Sequence, residues 1–192
     1  MKRRTALKQL GLLAGTAILL PSCIGNSNKQ PTITLHKIAI SGNQEVVLAA
    51  MANCLIPKTD IPGASEVKAH HFALHMVDDC FEPEAQQKFL LGLAQTEKAM
   101  EAKTDKTFEE ATLEEQQLFF KDVAAGTVVP ILKEGEVNSI EGFYSPFRNL
   151  IIRGYLGSEY VMTNVFGYNM IPGHFTGVVE INATSDLKTI LG

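Results

Sequence analysis

The sequence predicts an all-α protein, a small irregular bundle of about five to six helices with a loop-rich C-terminal segment. Apolar residues recur at helical spacing along several stretches, which open with capping patterns or proline and end at proline or glycine. No alternation of apolar and polar residues is long enough to build a sheet, and no internal repeat is present. The length of 192 residues suits one domain and a short additional segment.

Six segments carry the helical period, and most have a recognisable start or stop. Ser41 and Gln44 form a capping-box pair, and Pro57 ends the helix that follows. Pro83 suits the first turn of a long helix, and Thr112 opens a second capping box. The predicted helices span about 43–55, 64–80, 83–103, 113–125, 145–156 and 157–165.

The later part of the chain is less regular. Glycines and a proline interrupt the sequence after the fourth helix, so 128–132 is predicted as a brief helix or a strand. Ser145-Pro146 is expected to start the fifth helix. From Gly167 onward the pattern is loop-like, with an extended piece over 178–181.

The first 23 residues have the three-part layout of an export signal. The basic pair Arg3-Arg4 precedes an apolar run over 10–20, and Cys23 follows it. The arginine pair resembles a twin-arginine motif, and residues 20–23 resemble a lipobox, whose cysteine is acylated. We therefore expect export to the periplasm and a lipoprotein anchor on a membrane through Cys23. The alternative is that Cys23 is incidental to a signal peptide cut elsewhere.

The chain is expected to divide into a signal peptide over 1–22, a lipidated cysteine with a polar tether over 23–40, and a helical domain over 41–192. The signal carries only basic charges, so its removal leaves 13 basic and 21 acidic residues and a net charge of −8. An acidic domain does not bind nucleic acid or adhere electrostatically to anionic lipid. No apolar run has the length of a membrane-spanning helix.

Two further cysteines, Cys54 and Cys80, lie near the ends of predicted helices. Their even number would permit a disulfide in an oxidising compartment. Both would also serve as small buried apolar residues. The sequence leaves these two alternatives open.

Histidines and acids crowd the second predicted helix. His71, His75 and Asp79 recur every four residues, the spacing at which a histidine pair holds zinc or another transition metal. A third ligand from the same helix reaches poorly around a tetrahedral ion, and no HExxH motif is present. We therefore interpret these residues as a solvated or partner-facing stripe and predict no metal, with a metal site as the alternative.

The chain has no motif for catalysis or for a cofactor. Phosphate loops, dinucleotide-binding glycine patterns, nucleophile elbows, CxxCH and CxxC are all missing from the sequence. The acidic pairs Glu109-Glu110 and Glu114-Glu115 lie in predicted first helical turns, where capping and the helix dipole explain them. We expect a non-catalytic chain that holds no cofactor of its own.

Aromatic residues concentrate near the C-terminus. All four tyrosines and four of the ten phenylalanines fall between 143 and 175. Aromatic side chains are preferred interface anchors, and they are also common in cores. We assign Phe147 and Phe166 to the core. Both explanations stay open for four others: Tyr155, Tyr160, Tyr168 and Phe175.

Two segments are more distinctive than helical periodicity requires. Residues 55–64 form LIPKTDIPGA, and residues 150–177 contain GYLGSEYVM and IPGHFTG. Together they resemble the gluconate 2-dehydrogenase subunit 3 family, which has an IPxT/DxPGA turn after the first helix and a C-terminal GYxSExGM and PGx(Y/F)xG signature. The likeness spans about 43–177. The chain departs from the family at Val161, where a small residue is usual, and at 177–180, where GVVE stands in place of GCVP.

The resemblance implies a non-catalytic small subunit that binds a large FAD-dependent dehydrogenase of the glucose-methanol-choline type. The large subunit would oxidise a sugar or polyol, and a cytochrome c subunit with haem c would pass electrons to the membrane. The small subunit would stabilise the large one and supply its twin-arginine export signal. The implied partner-binding residues are Gly154, Tyr155, Ser158, Glu159, Tyr160, Met162, Tyr168, Pro172, Gly173 and Phe175.

A competing hypothesis is a free-standing membrane-anchored lipoprotein, which binds a small ligand or metal through the histidine-rich second helix. Such a protein would be a stable monomer, whereas a subunit would be unstable or poorly soluble without its partner.

Overall fold

The computed structural model describes residues 29–132, 135–168, 170, 171 and 178. Within these residues the protein is helical and has no strand, which confirms the predicted all-α class. The elements are α1 (Gly42–Leu55), α2 (Ala69–Cys80), α3 (Pro83–Thr104), α4 (Leu113–Ala124), α5 (Ile140–Leu156) and a π-helical turn (Val161–Val165).

Several predictions fall outside the described residues. These are the export signal with Arg3 and Arg4, the lipidation site Cys23, and most of the extended piece at 178–181. In the part of the chain that is described, no helix has both the length and the apolar character needed to cross a bilayer.

The predicted capping boxes start two of the helices. Ser41 Oγ accepts a hydrogen bond from Gln44 N (3.2 Å), and Gln44 Oε1 accepts one from Ser41 N (2.9 Å) at the start of α1. Thr112 and Glu115 make the same exchange at the start of α4. These bonds satisfy N–H groups that have no partner within the helix, so both starts are determined locally.

The start of α2 was predicted too early. Residues 64–68 form a turn, and Lys68 has a left-handed backbone with φ 56°, so the helix begins only at Ala69. The turn is held from outside, because Ser65 N donates to Asn53 Oδ1 of α1 at 3.1 Å. Lys68 N donates to Ser65 O within the turn, and the left-handed Lys68 separates this turn from α2.

The start of α5 was predicted too late. The helix begins at Ile140 and contains Pro146, which was expected to open it. Ile140 and Phe143 are buried, and Phe143 packs against Phe89 of α3 with ring centroids 5.0 Å apart. Burial of this first stretch outweighs the hydrogen bond that Pro146 cannot donate.

The core lies where α5 packs against α2 and α3. At its centre α3 and the start of α5 approach closely at Gly92. A Cβ atom on Gly92 would lie 2.1 Å from Ser139 O and 2.6 Å from Phe143 Cβ. The packing of these two helices therefore requires glycine at this position.

The segment before α1, which we call the N-terminal arm (residues 29–41), is part of the folded domain. It was predicted as polar tether, but three of its isoleucines are buried in the core: Ile33, Ile38 and Ile40. Asp78 of α2 accepts hydrogen bonds from the backbone N–H groups of His36, Lys37 and Ile38 at 2.7, 2.7 and 2.8 Å. Burial opposes ionisation of Asp78, yet these three donors lower its pKa below the ordinary value.

The loop after α4 forms neither the helix nor the strand predicted for 128–132. Gly126 ends α4 in a left-handed conformation with φ 68°, and Thr127 N bonds back to Asp122 O at 3.0 Å. Val129 is 83% exposed, so this stretch has no core against which a regular element could pack.

Candidate functional site

The two distinctive sequence segments meet at one end of the bundle. The hydroxyl of Tyr155 in α5 donates a hydrogen bond to the carbonyl oxygen of Pro62, in the turn before α2, at 2.9 Å. Tyr155 is buried, and this burial raises the pKa of its phenol, so the group stays protonated as the donor. Segments that are 93 residues apart thus form one structural unit.

Gly154 sets the distance between α5 and α2. A Cβ atom at this position would lie 2.7 Å from a ring carbon of Phe72 and 3.0 Å from Phe72 Cβ. The ring of Phe72 can therefore cover α5 only because residue 154 has no side chain. This contact holds the second segment against α2, next to the first.

A shallow cavity of about 280 Å³ lies where the two segments meet. The first segment contributes one lining residue, Pro62, and the second contributes three, Ser158, Glu159 and Tyr160. The turn before α2 contributes the others: Glu66, Val67 and Lys68. The turn on one side is held in shape by Glu66, which pairs with Lys58 Nζ at 2.7 Å and accepts from Gly63 N at 3.0 Å. The hydrogen bonds to Glu66 lower its pKa, so the carboxylate is ionised at neutral pH.

The two segments also carry exposed apolar side chains, one of which, Tyr160, lines this cavity, and we call these side chains the docking surface: Ile61, Leu156, Tyr160 and Tyr168. Their exposed fractions are 37, 45, 37 and 51%. The backbone beneath them is ordered by local bonds, since Ser158 Oγ donates to Tyr155 O at 2.7 Å and Tyr168 N donates to Met162 O at 2.8 Å. Exposed apolar groups beside a shaped cavity are typical of a protein-binding site.

The structure divides the predicted partner-binding residues into three groups. Gly154 and Tyr155 are buried in this chain, where they hold the two segments together, so they are not exposed anchors. Five others lie at or near the surface: Ser158, Glu159, Tyr160, Met162 and Tyr168. The remaining three lie outside the described residues: Pro172, Gly173 and Phe175. Sequence reasoning did not name Ile61 and Leu156 as partner-binding residues, although both lie within the two distinctive segments.

The predicted histidine stripe does not assemble into one site. His71 lies against Glu45 of α1, whereas His75 and Asp79 are exposed. Four residues of an α-helix turn through about 400°, so each step rotates the side chain by about 40° away from the previous one. The later members of the stripe have therefore rotated out of the contact with α1.

His71 instead belongs to a cluster that the sequence did not reveal. One ligand atom each from Glu45, His70 and His71 lies within 4.8 Å of the other two. His71 Nε2 is 2.8 Å from Glu45 Oε1, and Thr32 N donates to Glu45 Oε2 at 2.6 Å. Burial opposes ionisation of Glu45, but the bonds from Thr32 and His71 lower its pKa below the ordinary value. The signal that could have found Glu45 is a carboxylate in an otherwise apolar helix.

The two cysteines of the described residues, Cys54 and Cys80, are free thiols. Cys54 is half-buried, and burial raises the pKa of its thiol to about 12, so it remains protonated. Cys80 is exposed at the end of α2. The structure therefore contains no bond between them, and the alternative that both are buried apolar residues fits the half-buried Cys54 but not the exposed Cys80.

Comparison with known proteins identifies the family. The model of the family described as gluconate 2-dehydrogenase subunit 3 matches residues 43–173, which take in all but the first residue of the described helices, the whole first segment and the second segment up to Gly173. No curated protein matches the chain, and no solved structure does. Since the match takes in well over half of the sequence and the whole docking surface, the chain belongs to the gluconate 2-dehydrogenase subunit 3 family.

Proposed function

We propose that this protein is the non-catalytic small subunit of a membrane-associated dehydrogenase that oxidises a sugar or polyol. Its partner would be a large FAD-dependent subunit of the glucose-methanol-choline type, joined in some complexes by a cytochrome c subunit. Family membership supports a place in a dehydrogenase complex of the gluconate 2-dehydrogenase type. FAD and haem c would belong to the partner subunits, because this chain has no motif for either.

The observation that carries the proposal is the meeting of the two family segments beneath an exposed apolar surface. The Tyr155–Pro62 bond and the Gly154–Phe72 contact fix the geometry of that surface before any partner binds. An interface that is ordered beforehand loses less conformational entropy on association. Tyr160 would provide large contact area at the rim of the cavity, and its hydroxyl would still find a polar partner.

Co-purification tests this surface. The double variant Tyr160→Ser/Tyr168→Ser should lose the flavin-containing large subunit when the small subunit is isolated from membranes in mild detergent. The flavin absorbance and mass spectrum of the isolated material measure that loss, and circular dichroism checks that the helices persist.

The matched control is Leu118→Ser on α4, since Leu118 is 60% exposed but lies outside the docking surface. The control should retain the large subunit at the wild-type ratio. Retention of the flavoprotein by the double variant would reject the surface. A wild-type protein isolated alone and colourless would favour the free-standing lipoprotein instead.

We also propose that the small subunit carries the complex out of the cytoplasm. A folded flavoprotein without its own signal needs a partner that bears one, and Arg3-Arg4 would provide the twin-arginine motif. Acylation of Cys23 would then attach the exported complex to a membrane.

Two variants separate export from anchoring. Arg3→Lys/Arg4→Lys should leave both subunits in the cytoplasm, whereas Cys23→Ala should permit export and release the complex from the membrane. Cell fractionation with antibodies to each subunit distinguishes these locations. Normal export of the large subunit alongside a retained small subunit would contradict the shared signal.

A further inference from the structure

A cluster of possible metal ligands, Glu45, His70 and His71, lies between α1 and the start of α2. We propose that these three side chains bind one divalent transition-metal ion, with Zn²⁺ as the ion that suits them best. The site joins α1 to the start of α2. It uses none of the residues of the docking surface, so it is independent of the proposed function.

The geometry of the cluster is close to that of a coordination shell. The three ligand atoms lie within 4.8 Å of one another, and the His71 Nε2 to Glu45 Oε1 distance is 2.8 Å. Zinc binds imidazole nitrogen and carboxylate oxygen at about 2.0–2.2 Å, which separates tetrahedral ligands by about 3.3 Å. Small side-chain rotations would bring the three atoms to that spacing.

An ion pair between His71 and Glu45 does not explain why His70 is buried beside them. The residue is only 6% exposed, and its buried Nδ1 has no hydrogen-bond partner. Buried polar atoms without partners are rare and costly. Pairing of His71 with Glu45 accounts for those two residues but not for a second buried imidazole beside them, with its ring centroid 4.4 Å from that of His71.

The chemistry of the three side chains suits a divalent metal ion. An imidazole binds a metal through a ring nitrogen that carries no proton, and the buried Nδ1 of His70 has no hydrogen-bond partner. Glu45 would supply a carboxylate oxygen. Two imidazoles and a carboxylate form a ligand set that zinc uses in proteins.

Thr32 of the N-terminal arm acts as the outer partner of the site. Its backbone N donates to Glu45 Oε2 at 2.6 Å, and its hydroxyl donates to Glu45 Oε1. Such outer hydrogen bonds orient a ligating carboxylate. The side chain of His71 is 20% exposed, which provides a path for the ion, and the three protein ligands leave a fourth position for water.

Titration calorimetry with Zn²⁺ tests the site in the full chain, after treatment with a chelator and in the absence of the dehydrogenase. All proteins carry Cys80→Ser, because an exposed thiol would itself bind zinc. The reference protein should bind one Zn²⁺ per chain. His70→Ala, His71→Ala and Glu45→Gln should each weaken binding by at least about 100-fold, because loss of an outer hydrogen-bond partner alone typically costs about 10–100-fold.

The matched control is His75→Ala, because His75 lies exposed on the same helix but outside the cluster. It should bind zinc as the reference protein does. Glu45→Gln keeps an oxygen that accepts from Thr32, so this variant is the one expected to stay folded, and circular dichroism without zinc verifies that. Zinc should also raise the melting temperature of the reference protein and not that of folded Glu45→Gln.

Three results would overturn the site. These are a reference protein that does not bind zinc at millimolar concentration, a folded Glu45→Gln variant that binds as tightly as the reference, and a His75→Ala variant that weakens binding as much as His71→Ala does. None of these results bears on the docking surface, since no partner subunit takes part in the measurement.

Discussion

The helical body, residues 29–157, differs from the segment that follows it in how its polar side chains are paired and how its apolar side chains are buried. In the body, buried polar side chains other than His70 find partners within the chain. Gln95, for example, accepts from Ser139 N at 2.8 Å and donates to Val137 O at 3.0 Å, which links α3 to the start of α5. Gln116 likewise donates to Phe108 O at 2.6 Å and to Ala111 O at 3.2 Å.

The segment after Gly157 leaves large apolar groups in contact with solvent. Tyr160, Tyr168 and Met170 are 37, 51 and 80% exposed, and in the described residues only Val161 of this segment is fully buried. This difference fits the proposal that a partner covers the final segment. Substitutions of buried residues in the body should therefore change stability, and those of exposed tyrosines in the final segment should change binding.

The largest effect on stability is expected at Asp78. Asp78→Ala removes the acceptor of three backbone N–H groups of the N-terminal arm, which should cost about 3 kcal/mol in the free energy of unfolding. Urea unfolding followed by circular dichroism measures this loss. The neighbouring Asp79→Ala is the control, because Asp79 is exposed and should change stability by less than about 0.5 kcal/mol. Equal effects of the two would mean that the arm does not depend on Asp78.

The next largest effect is expected at Gly92. Gly92→Ala places a methyl group 2.1 Å from Ser139 O, so α3 and α5 must separate, at a cost of about 2 kcal/mol. In Gly142→Ala the new atom meets nothing closer than Lys88 Cβ at 3.6 Å, so the better helix propensity of alanine should stabilise by about 0.5 kcal/mol. Melting temperatures of the two variants should thus shift in opposite directions, and shifts of the same sign would show that the close approach is absent.

Acid should weaken the arm before it disrupts the helices. The folded pKa of Asp78 lies below its ordinary value of 3.8, so its stabilisation is fully present above that value and is lost as the pH falls through the folded pKa. Unfolding free energy should therefore drop below about pH 4 in the wild type. In Asp78→Asn the drop should be smaller. If the unfolding free energy fell equally with pH in both proteins, the acid sensitivity would come from other carboxylates, and Glu45 would be the first to test.

A smaller effect separates the buried tyrosine from the exposed ones. Tyr155→Phe removes only the hydroxyl that bonds Pro62 O, so unfolding free energy should fall by about 1 kcal/mol. Tyr160→Phe is its control and should leave stability unchanged, because the Tyr160 side chain lies at the rim of an open cavity. If Tyr160→Phe lowered the unfolding free energy more than Tyr155→Phe does, Tyr160 would be the residue that supports the fold.

The smallest effect on stability is expected on the docking surface. Tyr160→Ser/Tyr168→Ser should alter the unfolding free energy by less than about 0.5 kcal/mol, although the same variant should release the partner subunit. Urea unfolding of the isolated subunit provides the first number and co-purification the second. A loss of several kcal/mol would place these tyrosines in the body of the fold.

Much of the fold could be predicted because its signals are local. The capping boxes at Ser41 and Thr112 act over three residues, and both were confirmed. The boundaries of α2 and α5 could not be predicted, because they depend on distant partners. Asn53 of α1 holds the turn that delays α2, and burial against α3 begins α5 before Pro146.

The candidate sites likewise combine features that the sequence predicts with contacts that only the tertiary structure reveals. The sequence alone determined the all-α class, the family and the region rich in aromatic residues, because periodicity, caps and motifs are properties of neighbouring residues. Only the tertiary structure decided that Tyr155 is buried against Pro62 while Tyr160 is exposed, and that His71, and not His75, contacts Glu45. These contacts join residues 26 to 93 positions apart, and the packing of helices, not the local pattern, brings such residues together.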